Sequence, residues 1–451
     1  MNQPRTSPIA ATLARWGALS SQELYKKVQD EFGSERSFQR ALSDTPNLVR
    51  LGSKRNRGYA LARPERPPSP VYMRNEEGDD VFLGHLLALE AGQWTWDASG
   101  TEQRWARLSQ LSETLPVYQG LPWFMDAFRP AGFLGRAWVR EHADAHGWSL
   151  DIQSWTDDQI LTAAQQVPWD WRGDLSLGPF HDIENSVVAT GDRKAEYAKR
   201  ADLVLDGVMV GASADGEQPK FTAIVAESDR QRPVLVKFSP RMTGDPAARR
   251  WGDIMLTEAM AQQVMAIHGL DSAATELWVH DDRMWLETTR FDRIGAHGRR
   301  GMVSLRALAT SYHYQGPPNG WIQAVEHLER RGALRPEAVA NVRHIATIGQ
   351  LLLNTDMHMG NLSFIVGDGW PHPLQVAPVY DMTPMRWVPV GAQNVVPALA
   401  PQPLFKTSDI DAMLIAAEIW EETSRQELAT EGWRQWSAER ARQIREALAT
   451  N

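Results

Sequence analysis

The run Asn354-Thr355-Asp356-Met357-His358-Met359-Gly360-Asn361, with Asp381 twenty residues beyond its last member, limits this chain more than any other feature. An Asp, an Asn five residues on and a second Asp serve one chemistry only if the fold returns residue 381 to the side of 356 and 361. The intervening sequence provides for that return. Leu362–Val366 and Leu374–Ala377 are β-prone runs, and Gly367-Asp368-Gly369-Trp370 is turn-forming, so together they read as a hairpin. Upstream, Val342–Leu353 reads as an apolar helix inside a helical lobe, delivering the Asn354–Asn361 loop. Phosphoryl transfer to a hydroxyl needs these groups. Asp356 orients the attacking hydroxyl and accepts its proton, while Asn361 and Asp381 offer the oxygen donors that Mg²⁺ prefers. His358 either supports the loop or touches phosphate. Any one of these residues alone is an ordinary turn former; the ordered set points to a kinase.

A kinase also needs a nucleotide cradle. Val204–Val210 is β-prone, Gly211–Lys220 is rich in small residues, and Phe221–Val225 is again β-prone. Strand, loop, strand is the expectation, with backbone N–H groups of the loop free to meet phosphate. A plain hairpin has the same composition. Val234-Leu235-Val236-Lys237-Phe238 then sets a lysine inside an apolar strand. Such a lysine either points to water from an edge strand or has an anion as partner. The predicted helix Ile254–His268 carries Glu258 near its start, where it pairs with Lys237 or sits solvated in the first turn. Glu276–Val279 and Met284–Thr288 read as paired strands turning at His280–Arg283. The chain then crosses Arg290-Phe291-Asp292-Arg293 into its helical half, which closes with Ile410–Glu421 and Trp433–Ala449.

Charge separates the N-terminus from the rest. Residues 1–63 hold 11 Lys and Arg against 5 Asp and Glu, whereas the whole chain carries −9. The pattern there is helix (Ile9–Trp16), helix (from Ser20, with Glu23 completing a capping box), helix (Ser34–Ser43), then a hairpin, Leu48–Leu51 to Tyr59–Leu61. That order resembles a winged helix-turn-helix. Arg36 and Arg40 on its third helix, and Lys54, Arg55 and Arg57 at the hairpin tip, are the expected DNA contacts; a protein-docking role fits the same order. Arg63–Pro70 has four prolines in eight residues and reads as a linker, with 64–70 as the boundary. Residues 71–190 are mixed. Val81–Leu89, Trp94–Trp96 and Trp105–Leu108 look like strands, Ile160–Gln166 looks helical, and the glycines of Gly132–Arg136 suggest a tight turn. Cysteine is absent, which excludes disulfides, thiolate metal sites and cysteine nucleophiles. No apolar run is long enough to span a membrane and Met1–Ser20 lacks a secretory pattern, so a cytoplasmic protein is expected. The nineteen Trp residues are expected mainly in cores.

From about residue 115 to 385 the chain resembles the HipA family of bacterial serine/threonine kinases, the toxin halves of toxin–antitoxin pairs. Arg290-Phe291-Asp292-Arg293 and Asn354-Thr355-Asp356-x-His358-x-x-Asn361 carry the resemblance most specifically, and Pro378-x-Tyr380-Asp381 adds to it. Leu121-Pro122 through Gly135-Arg136 is similar to the family's N-terminal subdomain. Ser213 with Gly216–Lys220 is similar to its phosphate loop, and Val236-Lys237, Glu258 and Gly269-Leu270 recur at family spacing. The resemblance implies an α+β, bilobal protein-kinase-like fold, a small lobe over 191–290 and a helical lobe over 291–451. It implies ATP and Mg²⁺ as cofactors, with Asp215, Gly216, Glu217, Gln218, Pro219, Lys220, Lys237, Glu258, Thr289, His358 and Tyr380 around the nucleotide, and Lys237, Asp356 and His358 as catalytic. It also implies autophosphorylation at Ser213 with ejection of the loop. The partners it implies are a protein substrate, an aminoacyl-tRNA synthetase being the expected class, and an antitoxin. Two departures stand out. Thr289 replaces the acidic residue usual before Arg-Phe-Asp-Arg, and Asp215 stands where small residues are common. Two other functions compete: a DNA-binding regulator with a nucleotide-sensing kinase fold, and a kinase of small molecules.

Overall fold

The computed structural model describes residues 7–52, 56–97, 115–129, 139, 142–166, 171–180, 187–207, 218–367, 374–391 and 393–450. Its first layer is built from three short helices, Pro8–Trp16 (α1), Ser21–Val28 (α2) and Glu35–Ser43 (α3), and strands Leu19–Ser20 (β1), Leu48–Leu51 (β2) and Gly58–Leu61 (β3), ordered β1-β3-β2. The capping box forms as its sequence requires: Ser20 Oγ accepts from the Glu23 N–H at 3.2 Å, and the Glu23 carboxylate accepts from the Ser20 N–H at 3.0 Å. Ile9, Leu13, Leu24, Val28, Phe38 and Leu42 meet Tyr59 and Leu61 in a core of their own. Arg36, Arg40 and Arg57 are exposed; Lys54 and Arg55 lie outside the described residues.

This layer is seated on the next one. The Ala18 N–H donates to Gln93 Oε1 at 2.7 Å, Ala62 bridges to Leu89, and Leu51 and Ala60 pack with Leu89. Arg63 forms a two-pronged pair with Asp158 at 2.6 and 2.9 Å, and Arg66 donates to Thr162 at 3.0 Å. The proline-rich crossing is therefore pinned at its start, and its last two residues already belong to a strand, Ser69–Arg74 (β4).

Strands β4, Asp80–Ala88 (β5), Gln93–Asp97 (β6), Val117–Gln119 (β7) and Leu175–Leu177 (β8) form an antiparallel sheet ordered β7-β6-β5-β4-β8, with helix Asp157–Gln166 (α4) nearby. The expected strand Trp105–Leu108 and the turn Gly132–Arg136 lie outside the described residues.

The small lobe is a five-stranded sheet between two helices. Val187–Ala189 (β9), Lys220–Ala226 (β10), Gln231–Phe238 (β11), Thr275–His280 (β12) and Arg283–Thr289 (β13) are ordered β12-β13-β11-β10-β9. Alternation along β11 sends Val234, Val236 and Phe238 to one face and Lys237 to the other. The first face packs Tyr197 and Ala201 of helix Arg193–Gly207 (α5). Here the expected strand Val204–Val210 is overturned: residues 204–207 end α5, and 208–210 lie outside the described residues. Tyr197, Ala201, Val204 and Leu205 recur at helical spacing and pack the same cluster, so a helix begun upstream overrides local β propensity. Helix Pro246–Ile267 (α6) covers the second face and starts eight residues before the expected Ile254. Asp245 caps it by accepting from the Ala247 and Ala248 N–H groups at 2.8 and 3.1 Å, and Pro246 fits the first turn.

Two short strands, Arg293–Ile294 (β14) and Gly298–Arg299 (β15), lead into the helical lobe. Met302–Ser304 (β16), Ser363–Ile365 (β17) and Gln375–Val376 (β18) make a small sheet, so the expected hairpin forms; residues 368–370 of its turn lie outside the described residues. Around it stand Leu305–Ser311 (α7), Trp321–Arg330 (α8), Pro336–Leu351 (α9), Ile410–Arg425 (α10) and Glu431–Thr450 (α11). One apolar core runs from Val71 of the middle sheet through α6 to Ile444 of α11. Among the described residues, no helix is long and apolar enough to cross a membrane.

Candidate active site

Lys237 is buried where β11 faces α6, and its ammonium is shared by two carboxylates. Nζ lies 2.7 and 2.8 Å from the two oxygens of Glu258, and it also contacts Asp381 Oδ1. The edge-strand alternative for Lys237 is excluded, because β11 is interior to the sheet. The first-turn alternative for Glu258 fails as well. The early start of α6 places Glu258 mid-helix, with 1 % of its surface exposed. Burial opposes the Lys237 charge, but Asp381 and Glu258 outweigh it and raise its pKa. Burial pushes Glu258 up, and Lys237 offsets only part of that. For Asp381 the balance is reversed: burial acts to raise its carboxyl, yet the Lys237 ammonium holds it down at about 2. Asp381 keeps 29 % of its side chain exposed, so this cluster opens to solvent on one side.

The loop Asn354–Asn361 is tied to the same point by its amides. Asn354 Nδ2 donates to the Asp381 carbonyl at 3.2 Å, and Asn354 Oδ1 accepts from the Asp356 N–H at 3.0 Å. Asn361 Nδ2 donates to the Asp356 carbonyl at 2.9 Å and reaches its carboxylate at 3.4 Å. Both bonds use Asn361 Nδ2 and neither uses its Oδ1, and Asp356 is exposed. Asp381 adopts φ +53°, an uncommon value for a residue other than glycine. Such strain at a proposed metal ligand is the kind that surrounding contacts must hold in place.

His358 supports the loop: its Nδ1 accepts from the Gly360 N–H at 3.0 Å, and its carbonyl accepts from Trp321 Nε1 at 2.9 Å. Tyr380 does similar work. Its hydroxyl donates to the Gly360 carbonyl at 3.1 Å and bonds Ser363 Oγ at 2.8 Å, and burial pushes it up to about 12. Gln218 and Pro219 are buried, and Lys220 lies opposite Lys237 in the β10–β11 register. Thr289 ends β13; its N–H donates to the Ala274 carbonyl at 2.8 Å and its hydroxyl accepts from Arg232 at 3.1 Å. Ser213, Asp215, Gly216 and Glu217 lie outside the described residues.

Asn354 and Trp321 were absent from the sequence-derived site. Asn354 was visible as the first residue of the motif. Trp321 lies 37 residues from His358 with no pattern linking them.

Comparison with known proteins fits this geometry. Residues 212–450 match the HipA-like C-terminal domain, and residues 65–181 match the middle domain of YjjJ-like toxins. Over 436 residues the chain is 30 % identical to the toxin YjjJ of Escherichia coli (strain K12), covering 92 % of this chain and 94 % of that one. The chain belongs to the HipA family of toxins and kinases. The HipA-like fold is also seen in the Shewanella oneidensis MR-1 HipA of a toxin–antitoxin complex with HipB and operator DNA. That chain aligns with a TM-score of 0.51 and 13 % identity, over 85 % of this chain and 97 % of the other.

Among the described residues, no three His, Cys, Asp or Glu side chains cluster as metal ligands. One carboxylate and one amide oxygen, Asp381 and Asn361, nevertheless suit Mg²⁺, which takes few protein ligands and completes its shell with phosphate and water.

Proposed function

We propose that this chain is an ATP- and Mg²⁺-dependent protein serine/threonine kinase of toxin type. The observation that carries the reading is the meeting of Lys237 with Asp381, residues 144 apart in sequence, beside the Asp356–Asn361 loop. Lys237, steered by Glu258, binds the nucleotide phosphates. Asn361 and Asp381 would hold Mg²⁺, which would supply positive charge against the nucleotide phosphates. The Asp356 carboxylate accepts the proton of the substrate hydroxyl, and Asn354 and Asn361 keep it aimed. His358 and Tyr380 brace the loop so that Asp356 does not drift. Lys220 adds positive charge near the same carboxylates. Ser213 is the proposed autophosphorylation site.

The protein substrate is of the aminoacyl-tRNA synthetase class in this reading, and a separate antitoxin is a partner. The exposed Arg36, Arg40 and Arg57 on the compact N-terminal layer support a second role, winged-helix DNA contact through residues 1–63. The test of the kinase reading is phosphorylation of a cell lysate with labelled ATP. Wild type labels protein and Asp356→Ala does not; equal labelling by both overturns the catalytic assignment.

A further inference from the structure

Position 289 is where the family resemblance would seek a base-reading side chain, and it is the wrong residue for that task here. Strand alternation sends Thr289 to the same face as Glu287. That face carries α5, since Glu287 accepts from Tyr197 Oη at 2.7 Å and from Arg193 at 3.0 Å. The Thr289 hydroxyl accepts from Arg232, and its N–H serves Ala274.

Thr288 has the opposite disposition. Its neighbours in the inward series are Leu286, the cross-strand partner of Lys237, and Leu235 lies directly opposite Thr288 on β11. Two residues along a strand is about 7 Å. The connector Arg290–Arg293 follows β13 directly, so a nucleotide with phosphates at Lys237 and its base toward that connector passes half-buried Leu235 and reaches Thr288. Thr288 is 8 % exposed, and its Oγ1 is buried with no hydrogen-bond partner among the described residues. A buried hydroxyl without a partner carries a desolvation cost that a ligand can relieve. Its cross-strand neighbour Thr275 also has a buried, unpaired Oγ1, so the inner face holds a polar strip between apolar residues. Gln262, one helical turn after Glu258 on α6, is 2 % exposed with both side-chain polar atoms unpaired.

We infer that Thr288 is a specificity-determining residue whose hydroxyl hydrogen-bonds the 6-amino group of the adenine base. The inference rests on the kinase reading above. Its test compares Thr288→Val, which keeps shape and β-branching, with wild type in calorimetric titration against Mg-ATP and against the triphosphate of unsubstituted purine riboside. The variant binds ATP roughly two- to twelvefold more weakly, the worth of one neutral hydrogen bond, and binds the unsubstituted purine as wild type does. Equal binding of ATP by both proteins overturns the assignment, as does an equal loss for both ligands. Failure of wild type to bind Mg-ATP at all overturns the kinase reading, and this assignment with it. Thr289→Val serves as the comparison variant; a larger ATP-selective loss there than at Thr288 overturns the choice of residue.

Discussion

Two of the ion clusters buried among the described residues are built with opposite charge balance. In one, Asp292 sits between two guanidiniums. Arg290 meets it at 2.9 and 3.0 Å and Arg293 at 2.8 Å, while the Gly173 N–H adds a bond at 2.9 Å. Arg293 and Arg299 go on to the carbonyls of Trp171 and Gly173. In the other, one ammonium sits between two carboxylates, and one of those stays partly exposed. The first cluster fastens the middle domain to the connector between the lobes, with cations in excess and the carboxylate fully satisfied. The second has carboxylate in excess and one open side, which suits the cation and phosphates of the proposed function. Burial of charge alone does not separate a joint from a site; the sign of the surplus and its access to solvent do.

The largest expected effect lies at the open cluster. Asp356→Ala lowers phosphorylation by about 10²- to 10⁴-fold with an unchanged melting curve, because Asp356 is exposed. A matching fall in thermal stability would place Asp356 among the structural groups instead. Next, Asp292→Ala leaves two buried guanidiniums uncompensated and destabilises the protein by about 3–5 kcal/mol, measured by urea unfolding. A change below about 1 kcal/mol would remove the joint from the comparison.

Acid tests the joint as well. Burial works against the Asp292 charge, but Arg290 and Arg293 hold its carboxyl well below the usual range. A depressed carboxylate contributes stability above its unfolded value near 3.9, and that contribution is lost as pH falls toward the folded value. Stability therefore declines from about pH 5 downward and goes on declining until the folded value is passed, and Asp292→Asn flattens that decline. An unaltered acid slope in the variant would show that other carboxylates set it. The smallest effect belongs to the N-terminal layer. Ser20→Ala removes a cap worth about 1 kcal/mol, read as faster amide exchange in α2 with phosphorylation unchanged. Loss of kinase activity in that variant would show that the seated layer and the cleft act as one unit.

Much of the site was legible because it is local. Asp356, Asn361 and the hairpin to Asp381 lie within 26 residues, and turn and strand signals are written in that stretch. The pairing of Lys237 with Glu258 was only half legible. Its sequence signal was a lysine in an apolar strand, but the true start of α6 depends on Asp245 and Pro246, a capping signal read too late in the chain. Val204–Val210 is β-prone only locally; the Tyr197 and Ala201 stripe before it carries the helix through residue 207. Which face of β13 Thr289 occupies was not legible, because neighbouring side chains on a strand face opposite ways and packing against α5 sets the face.

By itself the sequence determined the side chains on offer, Asp356, Asn361, Asp381 and Lys237, along with capped helices and a basic N-terminal layer. Those follow from residue type and from periods of two and 3.6, which act over a few residues. Only the tertiary structure decided which charges share a partner, which threonine faces the cleft, and that the basic layer is seated on the middle sheet. Contacts such as Lys237 with Asp381 or Trp321 with His358 join residues far apart along the chain, and they exist only once burial has closed the intervening loops.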